Sequence, residues 1–402
     1  MTHFRSVLNC FNLLVVAPIL VGVLAVGCQG GGSGTGGSGE PKKSGGGAST
    51  GPIKIGHFAS MTGGTANFGQ SCDKGARLAI QEINAAGGVL GRPVELITED
   101  DRSQSTEART SALKLIQQDK VVALIGEVAS SNSIAAAPVA QQAQIPMVSP
   151  ASTNPEVTEK GDYIFRICFI DPFQGEVMAK FGYNSLGKKS AAIFTDVKSA
   201  YSVGLAKYFK ETFTQLGGTI TAEEAYSAKD IEFKAQLTKI RGTNPEILFV
   251  PGYYEEVGLI ARQARELGLS AVMLGGDGWD SPKTMEVGGA AIEGAYFSNH
   301  YASDDPNPVI QDFIIKFKAA HGGEVPDAMA VLGYDVLRLV VDAIGRAGST
   351  EGPKIRDALA ATKDFPGVSG SITIDALRNA RKALVVLKIE NGALKFAERV
   401  EP

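Results

Sequence analysis

The chain has 402 residues, 44% of them hydrophobic and 20% charged. That composition can bury sizeable cores and suggests two domains once non-folding ends are set aside. A formal net charge of −4 gives no reason to expect nucleic acid or an anionic membrane surface as partner.

Arg5 is the only charge before an apolar run, Leu13–Val26, of fourteen residues. The run falls short of the roughly 20 residues a transmembrane helix needs. It ends in Leu24-Ala25-Val26-Gly27-Cys28, small residues followed by a cysteine. This resembles a bacterial lipoprotein signal over residues 1–27, with Cys28 as the lipidated residue. A plain secretory signal is the other reading, and both export the protein. Residues 28–51 are rich in Gly and Ser and read as a flexible tether. Within them, Gly34–Gly39 fits G-x-G-x-x-G and Gly47–Gly51 fits G-x-S-x-G. Neither follows a strand, so both are products of composition. With Cys10 in the signal and Cys28 at its end, Cys72 and Cys168 remain. They are expected as buried small hydrophobes, because a core this large needs no staple.

From Pro52 the pattern is strand and helix in alternation. Pro52–Phe58 reads as a strand, followed by a polar loop, 60–69, and a helix to about Ala86 that Gly87-Gly88 stops. Val94–Thr98 is a second strand; Asp100-Asp101 follow it and read as a solvated strand end, and a helix runs from Ser105 to Gln118. Val121–Ile125 and Ile145–Ser149 are short apolar runs rich in β-branched residues, too short for buried helices. Each ends in a hydroxyl-bearing loop: Ser130, Ser131, Asn132 and Ser133 open a helix, and Pro150-Ala151-Ser152-Thr153-Asn154 follow the second strand. In a parallel sheet such loops lie side by side at the carboxyl ends of strands, where ligands bind. Free amides at a helix start add a place for a carboxylate. Ordinary capping explains either loop alone; convergence of the two points to a ligand site.

Tyr163–Ile170 is extended, and the strand–helix series restarts after residue 171. Strands are expected at 190–195, 219–226, 246–250 and 271–274, with helices at 199–216, 232–241 and 255–267 between them. Residues 294–301 are extended again, helices follow at 306–320 and 327–347, and Ala383–Ile389 is a late strand. The restart implies an α/β fold of two similar parallel-sheet lobes. Gly182–Lys188 nearly matches a P-loop, but it leaves a helix and enters a strand, and Lys189 stands where a hydroxyl should hold magnesium. His57, His300 and His321 show no metal-ligand spacing, and no metal or cofactor is expected. Trp279 is either a pocket wall or a lobe-surface anchor, and Tyr253-Tyr254 either a packed pair or part of a site.

Several runs, among them KIGHFASMTGGTANFGQ, GARLAIQEINAAGGVLGRPVELITEDD, IPMVSPASTNPEVT, FRICFIDPFQG, PGYYEEVGLIARQARELGL and GGDGWDSP, resemble the type I periplasmic solute-binding proteins of ABC transporters, in the leucine/isoleucine/valine-binding branch. The resemblance covers about 52–395. It implies two Rossmann-like lobes joined by a three-segment hinge: residues 52–170 with 299–366 in lobe 1, and 171–298 with 367–402 in lobe 2. The crossings are expected near Ile170, Asn299 and Gly367. It implies an extracytoplasmic, lipid-anchored, monomeric protein that captures a small amino acid by hinge closure. The solute would pass to a permease whose ATP-hydrolysing subunit is another chain; no catalysis is expected.

Carried over by position, Ser130 would hold the ligand α-carboxylate and Thr153 would serve both carboxylate and ammonium. Ala151 would offer its carbonyl, with Ser152 and Ala129 beside it. Tyr201 and Tyr253 would close over the ligand, Asp277 would bind the α-ammonium, and Phe68 would wall the side-chain pocket. Glu127, Ala129, Asp277 and Met329 depart from the branch's pattern, and Glu127 is expected to point away from the cleft. A ligand-sensing subunit working with a signalling partner is the alternative function; a hydrolase lacks its motifs outside the tether.

Overall fold

A computed structural model describes residues 51–402, which form one compact unit. The signal, tether and Cys28 expectations lie outside the described residues. No described helix is long and apolar enough to cross a membrane.

The first sheet comes from the first third of the chain. Strand β1 (Ile53–Ala59) leads to helix α1 (Ala66–Ala85), β2 (Val94–Asp100), α2 (Ser105–Lys114), β3 (Ala123–Ile125), α3 (Ser130–Ala143), β4 (Met147–Ser149), a short helix α4 (Glu156–Glu159) and β5 (Ile164–Arg166). The strand order is β2-β1-β3-β4-β5, all parallel. Parallel order with a helix between successive strands brings the loops after β1, β3 and β4 to one edge. Gly126 ends β3 at a φ of +118°. A Cβ there would sit 2.2 Å from the Phe58 carbonyl oxygen, so only glycine lets β3 turn so close to β1.

The second lobe follows: α5 (Asp171–Lys180), β6 (Ser190–Asp196), α6 (Ala200–Gln215), β7 (Thr219–Tyr226), α7 (Lys234–Gly242), β8 (Ile247–Val250), α8 (Tyr254–Glu266), β9 (Val272–Gly275), α9 (Pro282–Gly288) and β10 (Tyr296–Asn299). The chain then returns to the first lobe. Helices α10 (Pro308–Ala320), α11 (Ala328–Ala347) and α12 (Gly352–Ala360) share a core with α1 and β1, including Phe313, Leu337 and Ile344. Two last strands, β14 (Leu384–Glu390) and β15 (Ala393–Val400), complete the second sheet in the order β15-β14-β10-β9-β8-β6-β7. The α/β architecture of two mainly parallel sheets is the one expected from sequence.

The third passage between lobes lies later than Gly367. A small antiparallel sheet, β11 (Phe365–Gly367), β12 (Gly370–Ile374) and β13 (Ala380–Arg381), comes before it. Its Phe365, Val368, Ile372, Ile374 and Ala380 are buried in the first core. Residues 367–381 therefore go with lobe 1, and the chain joins the second sheet only at Leu384. At this hinge Asp335, on α11, accepts from the amides of Val368 and Ser369 at 2.8 Å each and from Ser369 Oγ at 2.7 Å. Lys382 Nζ donates to the same Oγ at 2.5 Å. A buried acid, hydroxyl and ammonium thus pin the last crossing.

Cys72 and Cys168 are both buried and free, as expected. Burial pushes both thiols up, Cys168 to about 12. Trp279 is neither a pocket wall nor a surface anchor. It lies in the second-lobe core against Phe297 and donates from Nε1 to the Val250 carbonyl at 2.9 Å.

Candidate functional site

The site is assembled where the carboxyl edge of the first sheet meets the second lobe. Helix α3 begins with Ala129 in the capping position and no side-chain cap. The hydroxyls expected to cap it are used elsewhere. Ser133 Oγ accepts from the Glu127 amide at 3.0 Å, and Ser149 Oγ and Ser152 Oγ donate to the Glu127 carbonyl at 2.7 and 2.8 Å. This hydroxyl framework shapes the loop and leaves the start of α3 open to an anionic group. Ser130 Oγ accepts from the Asn154 amide at 3.3 Å, which ties the two loops together.

Ser152 belongs to that framework rather than to an open surface. Its amide donates to Ser149 Oγ, and its carbonyl accepts from Arg166 Nη1 and Cys168 Sγ. Every polar atom of Ser152 is engaged inside the lobe, so its expected ligand contact gives way to a supporting role. Thr153 differs: it is fully buried, and among the described residues its Oγ1 makes no hydrogen bond of ordinary geometry, although its hydroxyl lies close enough to Asp171 to lower that carboxyl. Ala151 and Ala129 are buried at the same edge.

The second lobe contributes the turn 277–279 between β9 and α9. The Asp277 amide donates to Gln174 Oε1 at 2.9 Å, and His300 Nε2 lies 3.0 Å from its Oδ2. Asp277 Oδ1 is buried without a partner. Tyr201 Oη accepts from the Gly278 amide at 3.1 Å, and its ring stacks on Tyr253 with centroids 5.1 Å apart. Phe68, from α1, meets Tyr253 and Tyr254 edge-on at 5.8 and 4.8 Å. Ser130, Thr153, Tyr201, Tyr253, Asp277 and Phe68 thus frame one interlobe region. A cavity of about 220 Å³ lies beside it, lined by Ala129 and Ser131 of the first lobe and by Ser199, Tyr253 and Glu256 of the second; of the six framing residues only Tyr253 reaches it.

Electrostatically the region is acidic on the second-lobe side. Asp171, the first residue of α5, donates its amide to the Thr153 carbonyl at 2.9 Å and has an unpartnered carboxylate oxygen. Burial pushes its carboxyl up to about 8, and the charge of Asp277 adds to the rise. Raised this far, Asp171 keeps its proton near neutral pH, so Asp277 Oδ1 is the buried acceptor at the site left in want of a cationic donor. Glu127 is held within the first lobe, though its charge still reaches Tyr253. Its Oε1 accepts from the Ser60 amide at 3.0 Å and its Oε2 from the Ala129 amide at 2.5 Å. Asp101, expected at a solvated strand end, is instead fully buried beside it, bonded to Ser60 Oγ at 2.8 Å.

Direct bonds cross between the lobes at the rim. Asn154 Nδ2 donates to the Ala200 carbonyl at 2.7 Å and the Ala200 amide to Ser131 Oγ at 3.0 Å. The Asn67 amide donates to Tyr254 Oη, and Asn67 Nδ2 to Ser281 Oγ, at 3.1 Å each. Gln174, His300 and Asp171 escaped the sequence reading as site residues, while Ser131, Asn154 and Tyr254 were named there without a role of their own. For Asp171 and Gln174 a signal was present, since the run IDPFQG breaks the strand pattern at a lobe boundary.

A family model described as "Periplasmic binding protein" matches residues 52–393. The chain is 33% identical over 302 residues to the Leu/Ile/Val-binding protein homolog 3 of Brucella melitensis, covering 74% of this chain and 80% of that one. Among solved structures it is similar to the leucine binding protein LivK of Thermotoga maritima, with 43% identity and a TM-score of 0.83, covering 87% of this chain and 99% of that one. It is also similar to the substrate binding protein LivJ of Streptococcus pneumoniae, solved in complex with isoleucine. There the identity is 35% and the TM-score 0.83, covering 87% of this chain and 100% of the other.

Proposed function

Because the chain belongs to the periplasmic binding protein family, a family of extracytoplasmic solute binders and not of enzymes, we propose that it captures a small aliphatic α-amino acid between its lobes and hands it to an ABC permease. The single observation that carries this reading is the pair of buried, unpartnered atoms Thr153 Oγ1 and Asp277 Oδ1 on opposite lobes. An α-amino acid supplies what both lack. Its carboxylate takes the open start of α3 with Ser130 Oγ and Thr153 Oγ1, and its ammonium takes Asp277 Oδ1 with charge-assisted bonds. The rings of Phe68, Tyr201 and Tyr253 cover the aliphatic side chain.

Hinge closure follows from that division of labour. The carboxylate partners sit on lobe 1 and the ammonium partner on lobe 2, so only the closed arrangement satisfies both ends of the zwitterion. The bonds of Asn154 and Asn67 across the rim add to the closed form. In this reading Cys28 anchors the chain to the membrane by its lipid, and the Gly/Ser tether gives it reach to the permease.

The resemblance to proteins named for leucine, isoleucine and valine makes these the first candidates. The test is thermal denaturation of the full chain, unfolded and refolded to strip retained solute, against amino acids and small carboxylates. A ligand at 100 times its Kd adds about 2.7 kcal/mol to the folded state. A rise in melting temperature with leucine, isoleucine or valine is expected. A rise with carboxylates that lack an amino group, and none with the amino acids, would overturn the reading.

A further inference from the structure

Asp277 is gripped from behind. Its Oδ2 faces His300 Nε2 at 3.0 Å, while its Oδ1 is free. A carboxylate only accepts, so a neutral imidazole in this contact carries its proton on Nε2. Its Nδ1 is then a bare acceptor, and Nδ1 is indeed buried without a partner. An imidazolium would bury a second N–H there with nothing to receive it, the costlier arrangement. Phe169 stacks on the ring at 4.0 Å between centroids and 16° between planes, which fixes its orientation. On its other side His300 lines a hinge cavity of about 280 Å³ with Ser369 and Arg399. The ring therefore stands between the ligand's anion and the hinge.

We propose that His300 is the positioning residue for ammonium recognition: held neutral, it fixes Asp277 through Oδ2, aims Oδ1 at the ligand and leaves the full carboxylate charge to it. This rests on the α-amino-acid reading above. A consequence is competition. When the site is empty, a proton taken up by His300 makes it a cation that answers Asp277 in place of the ligand's ammonium. The charged groups facing the ring are Asp277 from the turn after β9 and Lys382 from the strand connection before β14. Asp305, Asp364 and Arg399 face it across the hinge cavity, and Asp171 lies beyond Asp277. Burial holds the imidazole below its ordinary range, the bond to Asp277 opposes that, and Lys382 adds to it.

The test is calorimetric titration of leucine into the full chain for the wild type, His300→Leu, His300→Gln, Asp277→Asn and the double variant His300→Leu/Asp277→Asn, at about pH 5.5 and pH 7.5. Gln places an N–H donor near the position of Nε2; Leu places none. His300→Leu is expected to weaken leucine about tenfold in the wild-type background and hardly at all beside Asp277→Asn, the coupling a double-mutant cycle isolates. His300→Gln is expected to bind within about threefold of wild type at the higher pH. Wild-type affinity should fall on acidification more than that of His300→Gln. An equal loss from His300→Leu in both backgrounds, or no loss, would overturn the assignment while leaving the ligand reading intact. A wild type that binds neither leucine, isoleucine nor valine would overturn the ligand reading and this one with it.

Discussion

Asp101 and Glu127 meet through a single hydroxyl: Ser60 Oγ lies 2.8 Å from Asp101 Oδ1 and 2.9 Å from Glu127 Oε1. A hydroxyl has one proton and can donate to only one of them, so its contact with the other requires a protonated carboxyl. Burial raises both groups, Asp101 to about 6 and Glu127 to about 8; the charge of Asp100 adds to the first rise and that of Asp101 to the second. The folded protein thus holds protons here that the unfolded chain has released. Between about pH 4 and pH 8 the pair's contribution to stability falls as pH rises. Asp101→Asn keeps the Oδ1 acceptor that Ser103 and Ser60 use and removes one titrating group. Its melting temperature should fall less than that of the wild type between about pH 5 and pH 8. An unchanged slope would place the proton elsewhere.

On the proposed α-amino-acid reading, Ser130→Ala removes a hydroxyl that meets the ligand carboxylate and leaves the backbone at the start of α3 in place. A hydrogen bond to a charged group is worth about 1.5–3 kcal/mol, so affinity should drop roughly 10- to 100-fold. Thermal stability without ligand should hardly change, because among the described residues Ser130 Oγ makes one bond, at 3.3 Å, to Asn154. Calorimetry and melting curves on the same samples separate the two effects.

Asp277→Asn keeps size and an oxygen for His300 and removes the charge. The loss for an α-amino acid should be about 2–5 kcal/mol, which is 30-fold or more. Titration at fixed pH reads this directly. A small effect would mean that Asp171, the other buried carboxyl at the site, carries the ammonium.

The hinge pin offers a contrast in stability. Asp335 already has three donors without Lys382, whereas Lys382 Nζ has Ser369 Oγ as its one hydrogen-bond partner among the described residues. Removing the acid leaves a buried ammonium uncompensated, a change that costs about 3–5 kcal/mol. Removing the ammonium leaves a carboxylate still well supplied. Asp335→Asn should therefore destabilise more than Lys382→Met in urea denaturation. Burial lowers Lys382 to about 8, so in this respect stability gains as pH rises from there toward the ordinary lysine range.

Tyr254→Phe keeps the edge-on contact with Phe68 and deletes the hydroxyl that receives the Asn67 amide across the rim. About 1 kcal/mol of closed-state support should go, or roughly fivefold in affinity, seen chiefly as faster dissociation in stopped-flow displacement.

The alternation of short apolar runs with helix stretches stopped by glycines made the two lobes legible. Strand Thr219–Tyr226 follows from it residue for residue and the end of α1 to within one residue, while α1 begins at Ala66, inside the run expected as a loop. The small sheet at the hinge was not legible, because its strands are short and β11 contains Pro366 and Gly367, residues uncommon in strands. Strand β15 was missed because it is largely exposed and has no apolar run. At the site, Ser130 and Thr153 stood out as hydroxyl loops at adjacent strand ends. Gln174 and His300 did not, since they reach Asp277 from 103 and 23 residues away and no local spacing announces such partners. The burial of Asp101 was hidden for a similar reason: it depends on Ser60 and Glu127, contributed by other strand ends.

The central claim is that two lobes grip the two ends of one zwitterion. The most direct test is calorimetric titration of the refolded full chain with leucine and with 4-methylpentanoate, which keeps the carboxylate and side chain and lacks the ammonium. The account predicts that leucine binds at least about 100-fold more tightly, because the desamino compound leaves Asp277 Oδ1 buried and unpaired. Equal affinity for the two would contradict it.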